Sequence, residues 1–168
     1  MGTRITPLQS GQIDELIGLA RAIWLAHYPT IISVEQIEYM LDQRYRPEII
    51  SAQLDSPDHW WHVLWKDGEM LGFSACERSD KPGQLKLDKL YLDVGHHGQG
   101  LGTQLLDHAQ ALARKLDCHT VYLQVNKHNH KAVDAYRRSG FTVREAFVFD
   151  IGDGFVMDDY VMEKRLDV

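Results

Sequence analysis

Between Leu85 and Val125 the chain passes through a strand, a glycine-rich turn, an amphipathic helix and a second strand in close succession, and this order restricts the fold more than any other feature. Leu85-Lys86-Leu87-Asp88-Lys89-Leu90-Tyr91-Leu92 alternates at period two, as a strand does. Leu101, Leu105, Leu106, Ala109, Leu112, Ala113 and Leu116 share one helical stripe, and Val121-Tyr122-Leu123-Gln124-Val125 is again strand-like. A strand–helix–strand unit of this length is a crossover, which leaves its strands parallel and packs the helix on the sheet. In the turn, Gly98, Gly100 and Gly102 remove the β-carbons that would hold an anion away from the backbone. The unsatisfied N–H groups and positive dipole end of the new helix point into the same space, so the turn suits a pyrophosphate. The same glycines would also serve a tight strand-to-helix turn with no ligand.

The remaining elements surround this unit. Arg4 to Leu8 reads as a short strand, and Ile13-Leu16-Ile17-Leu19-Ala20-Ile23-Trp24 repeats at helical spacing. Ser33 and Gln36 have capping-box spacing ahead of a second helix, and Pro47 opens a third. Lys66-Asp67-Gly68 between two strand-like runs, His59 to Glu77 overall, predicts a tight antiparallel hairpin. A helix from about His130 to Arg138, stopped by Gly140, precedes two last strands around Phe141 to Phe149 and Val156 to Met162. No repeat, low-complexity tract or linker divides the 168 residues, so one domain over 1–168 is expected.

Composition narrows the function classes. A net charge of −6 disfavours a non-specific nucleic-acid binder, which needs basic residues to displace counterions from phosphates. No apolar run is long enough to span a membrane, and MGTRITPLQS lacks the basic and apolar parts of a secretory signal, so a cytoplasmic location with no membrane partner is expected. Met1-Gly2 with Thr6 fits the loose myristoylation pattern, but residues 4–8 read better as a strand. Cys76 and Cys118 stand far apart without a CxxC partner, which predicts reduced, buried thiols. His96-His97 and His128-x-His130 lack a third ligand, so no metal is expected.

Spacing separates the glycine turn from other phosphate loops. Gly102 is followed by Thr103-Gln104, so the lysine of a P-loop is missing, and GxGxG followed by a strand ending Val125-Asn126 does not fit a dinucleotide fingerprint. The turn His97-Gly98-Gln99-Gly100-Leu101-Gly102, after the strand Leu90-Tyr91-Leu92-Asp93-Val94, instead resembles the GNAT superfamily of acetyl-CoA-dependent N-acetyltransferases. The distal Asn129-x-x-Ala132-x-x-x-Tyr136-x-x-x-Gly140-Phe141 extends the resemblance from about Leu87 to the C-terminus. His97 stands where the family usually has Gln or Arg, which moves the expected phosphate contacts from that side chain to the amides of residues 98–103.

The resemblance implies an α/β (α+β) fold: a mixed, mostly antiparallel sheet of six to seven strands with about four flanking helices. The strands around Leu85–Leu92 and Val121–Val125 would be its one parallel pair. It divides the domain into acceptor-side helices at 10–56, an acetyl-CoA-binding core at 85–141 and C-terminal strands at 141–165. Cofactor contacts are then expected at Leu92, Asp93, Val94, His97, Gly98, Gln99, Gly100, Leu101, Gly102, Thr103, Asn129, Ala132 and Tyr136, with backbone amides serving at Leu92 and Val94. Tyr136 becomes the general acid toward the CoA thiolate. Acetyl transfer to an ammonium also needs a base, for which Glu77 and Asp88 are candidates. Trp24, Tyr28 and Tyr39 could line an amine pocket or the core. The C-terminal Phe147–Asp153 and Met157–Met162 look like the branch containing polyamine acetyltransferases, so a small-molecule primary amine is the leading acceptor. A protein N-terminus or lysine, or a non-catalytic acyl-CoA-binding regulator, are the alternatives. Exposed strand edges suit pairing into a homodimer.

Replacing Tyr136 by Phe should lower kcat while leaving acetyl-CoA affinity nearly intact, as measured by thiol release and by cofactor titration. Unchanged turnover removes Tyr136 from the acid role.

Overall fold

The computed structural model describes residues 2–167. Seven strands form one sheet: β1 (Thr3–Pro7), β2 (His59–Lys66), β3 (Glu69–Arg78), β4 (Gln84–Leu92), β5 (Thr120–Asn126), β6 (Thr142–Gly152) and β7 (Phe155–Arg165). Five α-helices accompany them: α1 (Ile13–His27), α2 (Val34–Arg44), α3 (Pro47–Leu54), α4 (Leu101–Lys115) and α5 (His130–Arg138). That is one helix more than the family outline, because the chain is extended at Arg46 before Pro47 reopens a helix. Strand order is β1-β2-β3-β4-β5-β7-β6, antiparallel throughout except at β4/β5.

Local chemistry accounts for the connections. Asp67 and Gly68 both have positive φ, 52° and 80°, the geometry a two-residue hairpin turn requires, and Asp153-Gly154 repeats it between β6 and β7. The Ser33 hydroxyl accepts from the Gln36 amide at 3.1 Å, but the box is only half made. The Gln36 side chain turns inward and donates to the Val156 carbonyl at 2.7 Å, fixing α2 to β7.

The parallel pairing is short. Only Gln84↔Thr120, Leu85↔Val121 and Lys86↔Tyr122 are in register, although both strands run on. On its other side β4 pairs with β3, where the register passes from Ala75↔Lys89 to Cys76↔Leu87 and leaves Asp88 without an opposite residue. An extra residue of this kind bends its strand and increases its twist. The bend falls where β4 parts from β5, and a wedge opens between them.

Two apolar layers cover the sheet. One holds α1, α2 and α3 against β2 and β3 through Trp24, Ile37, Ile50, Trp61 and Phe73. The other holds α4 and α5 against β5 and β7 through Leu85, Leu106, Leu123, Phe141 and Met162. Each fully buried Leu or Phe contributes about 2 kcal/mol through its apolar area. Cys76 and Cys118 are buried and unpaired, and burial pushes the Cys76 thiol up to about 12.

His62 of β2 and His108 of α4 meet beneath the second layer with ring centroids 4.4 Å apart. Burial, and then the neighbouring His108, lower the His62 pKa to about 4. The unfolded chain, with an ordinary value of about 6.5, binds that proton more readily, so stability is complete above pH 6.5 and falls as pH drops toward 4. Allowing for partial exposure, the loss should be on the order of 2 kcal/mol between pH 7 and pH 4.5, read from urea midpoints. His62→Gln should flatten this acid limb, and an identical acid loss in the variant would exclude the histidine pair as its cause.

Candidate active site

The wedge opens into a cavity of about 710 Å³ that runs from the glycine turn, between β4 and β5, to α1 and α2. Asp93 donates its amide to Leu71 of β3 at 2.7 Å, so by strand alternation the Leu92 N–H and C=O face the opposite, unpaired edge. That edge forms one wall of the wedge.

At the turn, Gly98 and Gly100 take left-handed φ values of 82° and 77°, conformations that side chains disfavour. A β-carbon at Gly98, Gly100 or Gly102 would meet nothing within 4 Å, so the space over the turn is open, and all three border the cavity. The first helical bond of α4 runs from the Gln104 amide to the Gly100 carbonyl. The amides of Leu101, Gly102 and Thr103 therefore have no intrahelical acceptor.

Both ring nitrogens of His97 are engaged by other partners. Its Nδ1 lies 2.8 Å from the Lys131 ammonium, which can only donate, so Nε2 carries the hydrogen and donates to the Leu92 carbonyl at 3.0 Å. The ring ties the end of β4 to α5. Of the expected cofactor contacts, Leu92, Val94, His97, Gly98, Gly100, Gly102, Thr103, Asn129, Ala132 and Tyr136 border the cavity. The other three side chains are engaged elsewhere: Asp93 holds His96 at 2.8 Å, Gln99 accepts from Lys66 at 3.2 Å, and Leu101 is buried in the core.

Asn129 caps α5, its Oδ1 accepting the Ala132 amide at 3.4 Å, and the same oxygen accepts from His27 Nε2 at 3.0 Å. Tyr136 lies two helical turns further along α5, its ring edge-on to Phe141 at 5.7 Å. Its hydroxyl has no hydrogen-bond partner among the described residues, and burial raises its pKa so that it stays protonated at neutral pH.

The sequence-derived acceptor and base candidates separate. Trp24 and Tyr28 border the cavity, and the Tyr28 hydroxyl lies 3.3 Å from that of Tyr91. Tyr39 does not: it donates to the Ile151 carbonyl at 2.7 Å and borders a smaller recess of about 350 Å³. Glu77 lies outside the cavity, engaged by His59 at 3.3 Å and Lys86 at 3.5 Å. Asp88 borders the cavity but is held by Lys89 at 2.5 Å and Lys86 at 3.6 Å. Burial opposes its charge, yet the two lysines prevail and keep its pKa below the usual carboxylate value.

Sequence reasoning passed over Asp159 of β7. It is fully buried at the cavity wall, and neither carboxylate oxygen has a hydrogen-bond partner among the described residues. Burial pushes its pKa up to about 6, against a partial lowering by Arg44. The signal was available: Met157, Asp159 and Val161 alternate, so the carboxylate occupies a core-facing strand position. Arg44 was also passed over, and it borders the cavity, as does His27 of the acceptor-side helices.

The Acetyltransferase (GNAT) family matches residues 14–141, and the chain belongs to this family of N-acetyltransferases. Among solved structures, the PaiA N-acetyltransferase of Thermoplasma acidophilum in complex with coenzyme A superposes with a TM-score of 0.85 at 25% identity, over 99% of this chain and all of that one. Among sequence relatives, a spermidine N(1)-acetyltransferase of Thermoplasma acidophilum is 25% identical over 98% of both chains. A streptothricin acetyltransferase of Streptomyces lavendulae is 36% identical over 87 residues, 52% of this chain and 46% of the relative. Among the described residues, no helix is long and apolar enough to cross a membrane, and no group of three or more His, Cys, Asp or Glu side chains could hold a metal ion.

Proposed function

We propose that the protein transfers the acetyl group of acetyl-CoA directly to the primary amine of a small molecule, with both substrates bound in the wedge. The observation that carries this reading is the continuity of the cavity. It joins an open cradle of unpaired amides at one end to a buried, unpartnered carboxylate at the other, with Tyr136 also on its lining. Relatives named for spermidine and streptothricin acetylation support a small amine as acceptor. The CoA-bound neighbour supports the cofactor.

Each side chain then has a task. The amides from Gly98 to Thr103 hold the pyrophosphate at the helix N-terminus. Leu92 presents its free N–H, with Val94 beside it, to the pantetheine and thioester, where that N–H can stabilise the tetrahedral oxyanion. Asp159 takes a proton from the acceptor ammonium, directly or through one water. Its raised pKa narrows the gap to an alkylammonium, whose own value falls on leaving water. The free amine attacks the thioester carbonyl, the carbon–sulfur bond breaks, the Tyr136 hydroxyl supplies the proton to the departing thiolate, and the proton the newly acylated nitrogen sheds returns to the Tyr136 oxygen, directly or through one water. A buried carboxylate without partners is costly, and an ammonium donor offsets that cost. Glu77 is too remote for the base, and Asp88 is too strongly stabilised as an anion to take the proton.

Thiol release measured over small amines and peptides should show turnover on small amines, with kcat/KM rising as pH increases through about 6, where Asp159 ionises. Asp159→Asn should lower kcat/KM at least 100-fold and abolish that limb while coenzyme A affinity holds. Turnover on peptides alone, or an unchanged limb in the variant, would overturn the assignment.

A further inference from the structure

The acceptor end of the wedge holds a second charge besides Asp159. Arg44, the last residue of α2, borders the cavity on the layer opposite α4 and α5. Among the described residues its guanidinium makes one hydrogen bond, from Nη2 to the Met157 sulfur at 2.9 Å, and thioether sulfur is a weak acceptor. Among the described residues no carboxylate lies within ion-pair distance of it. Of the carboxylates that its charge reaches, Asp88 is committed to Lys86 and Lys89, which leaves Asp159. Arg44 nevertheless stands close enough for its charge to favour ionisation of Tyr28, Tyr91 and Asp159, all on the cavity wall.

Among the described residues this end of the cavity therefore presents one anion and one cation without an ion-pair partner, on a lining that also includes the apolar surfaces of Trp24, Tyr28, Met40 and Met157. A ligand complementary to both carries an amine and an anionic group on one small frame. A guanidinium offers a planar pair of N–H donors that matches a carboxylate in bidentate fashion. A polyamine, with positive charge at both ends, would bring an ammonium against Arg44, and a like charge placed there discriminates against it.

We propose that Arg44 binds the carboxylate of the acceptor, so that the preferred substrate is a small amino-carboxylate of the amino-acid class, its amine at Asp159 and its carboxylate at Arg44. This rests on the transferase reading above and narrows it.

The test compares each of a panel of L-amino acids with its own primary carboxamide, and with spermidine, by thiol release from acetyl-CoA. The wild-type protein should favour the best free acid over its amide by at least about 30-fold in kcat/KM, mostly through KM, and over spermidine by a similar factor. Arg44→Gln should bring the acid-to-amide ratio near one, and Arg44→Lys should restore part of it. Coenzyme A affinity by calorimetry should hold in both variants, showing that the fold and cofactor site are intact. An acid-to-amide ratio that Arg44→Gln leaves unchanged, or a wild-type preference for spermidine over every carboxylate, overturns the proposal while transfer itself stands. If no amine is turned over, the transferase reading fails, and calorimetric titration of acid against amide onto the coenzyme A complex decides the Arg44 site alone. Tighter binding of the acid, lost in Arg44→Gln, supports it, and equal binding overturns it.

Discussion

The site depends on the place where β4 stops pairing with β5. Backbone groups in a sheet interior are obliged to find hydrogen-bond partners, and two strands that part in mid-sheet leave a row of them unmet. Here the parting follows three paired residues and coincides with the unmatched Asp88 on the β3 side. The bend turns what would be a continuous sheet into a wedge lined on one side by free backbone polarity. Everything else at the site is arranged around that opening: the glycine turn at one mouth, α5 with Tyr136 on one layer, and α1 and α2 on the other.

The two layers differ chemically in a way that suits two substrates. On the α4 and α5 side the wall is made of amides and lysines, including Lys131 and Lys164, which fits a polyanionic cofactor. On the α1 and α2 side it is aromatic and sulfur-rich, with isolated charges. Within that layer Lys89 is buried, its ammonium 5.1 Å from the Trp61 ring and 5.5 Å from Tyr45 while it pairs with Asp88. Such a pair is expensive to bury and weak as a source of stability. Its effect on the site is to engage Asp88, so that of the carboxylates bordering the cavity, Asp159 is the one that is both buried and without a partner among the described residues, Asp107 being exposed.

Features written in local sequence were legible. The apolar stripe of α4, the Asp67-Gly68 turn, the Asn129 cap and the spacing of the glycines each follow from residues close together in the chain, and the fold follows from their order. Roles set by long-range register were not. The alternation within β7 marks Asp159 as core-facing, but it reaches the wedge because β7 pairs with β5 at Asn126↔Asp159, a match between residues 33 apart that the alternation does not reveal. Arg44 reads locally as an ordinary cation completing a helix C-terminus. Tyr39 has the composition of a pocket residue, but the end of β6 supplies the Ile151 carbonyl and draws it aside. Glu77 and Asp88 looked equivalent as strand carboxylates, and the fold separates them: Asp88 borders the cavity and Glu77 does not, and Lys86 and Lys89 hold Asp88 while His59 and Lys86 engage Glu77.

The shared oxygen of Asn129 carries a mechanical consequence. One atom accepts both the first-turn amide of α5 and the ring of His27 from the last turn of α1, so it acts as a pin through two helices that belong to opposite layers. A rotation of α1 must either carry the start of α5 with it or pull the pin. Tyr136 rides on α5, and Tyr28 follows His27 directly. The two walls of the wedge are thus geared together rather than free to drift, and one side-chain oxygen helps to set its width.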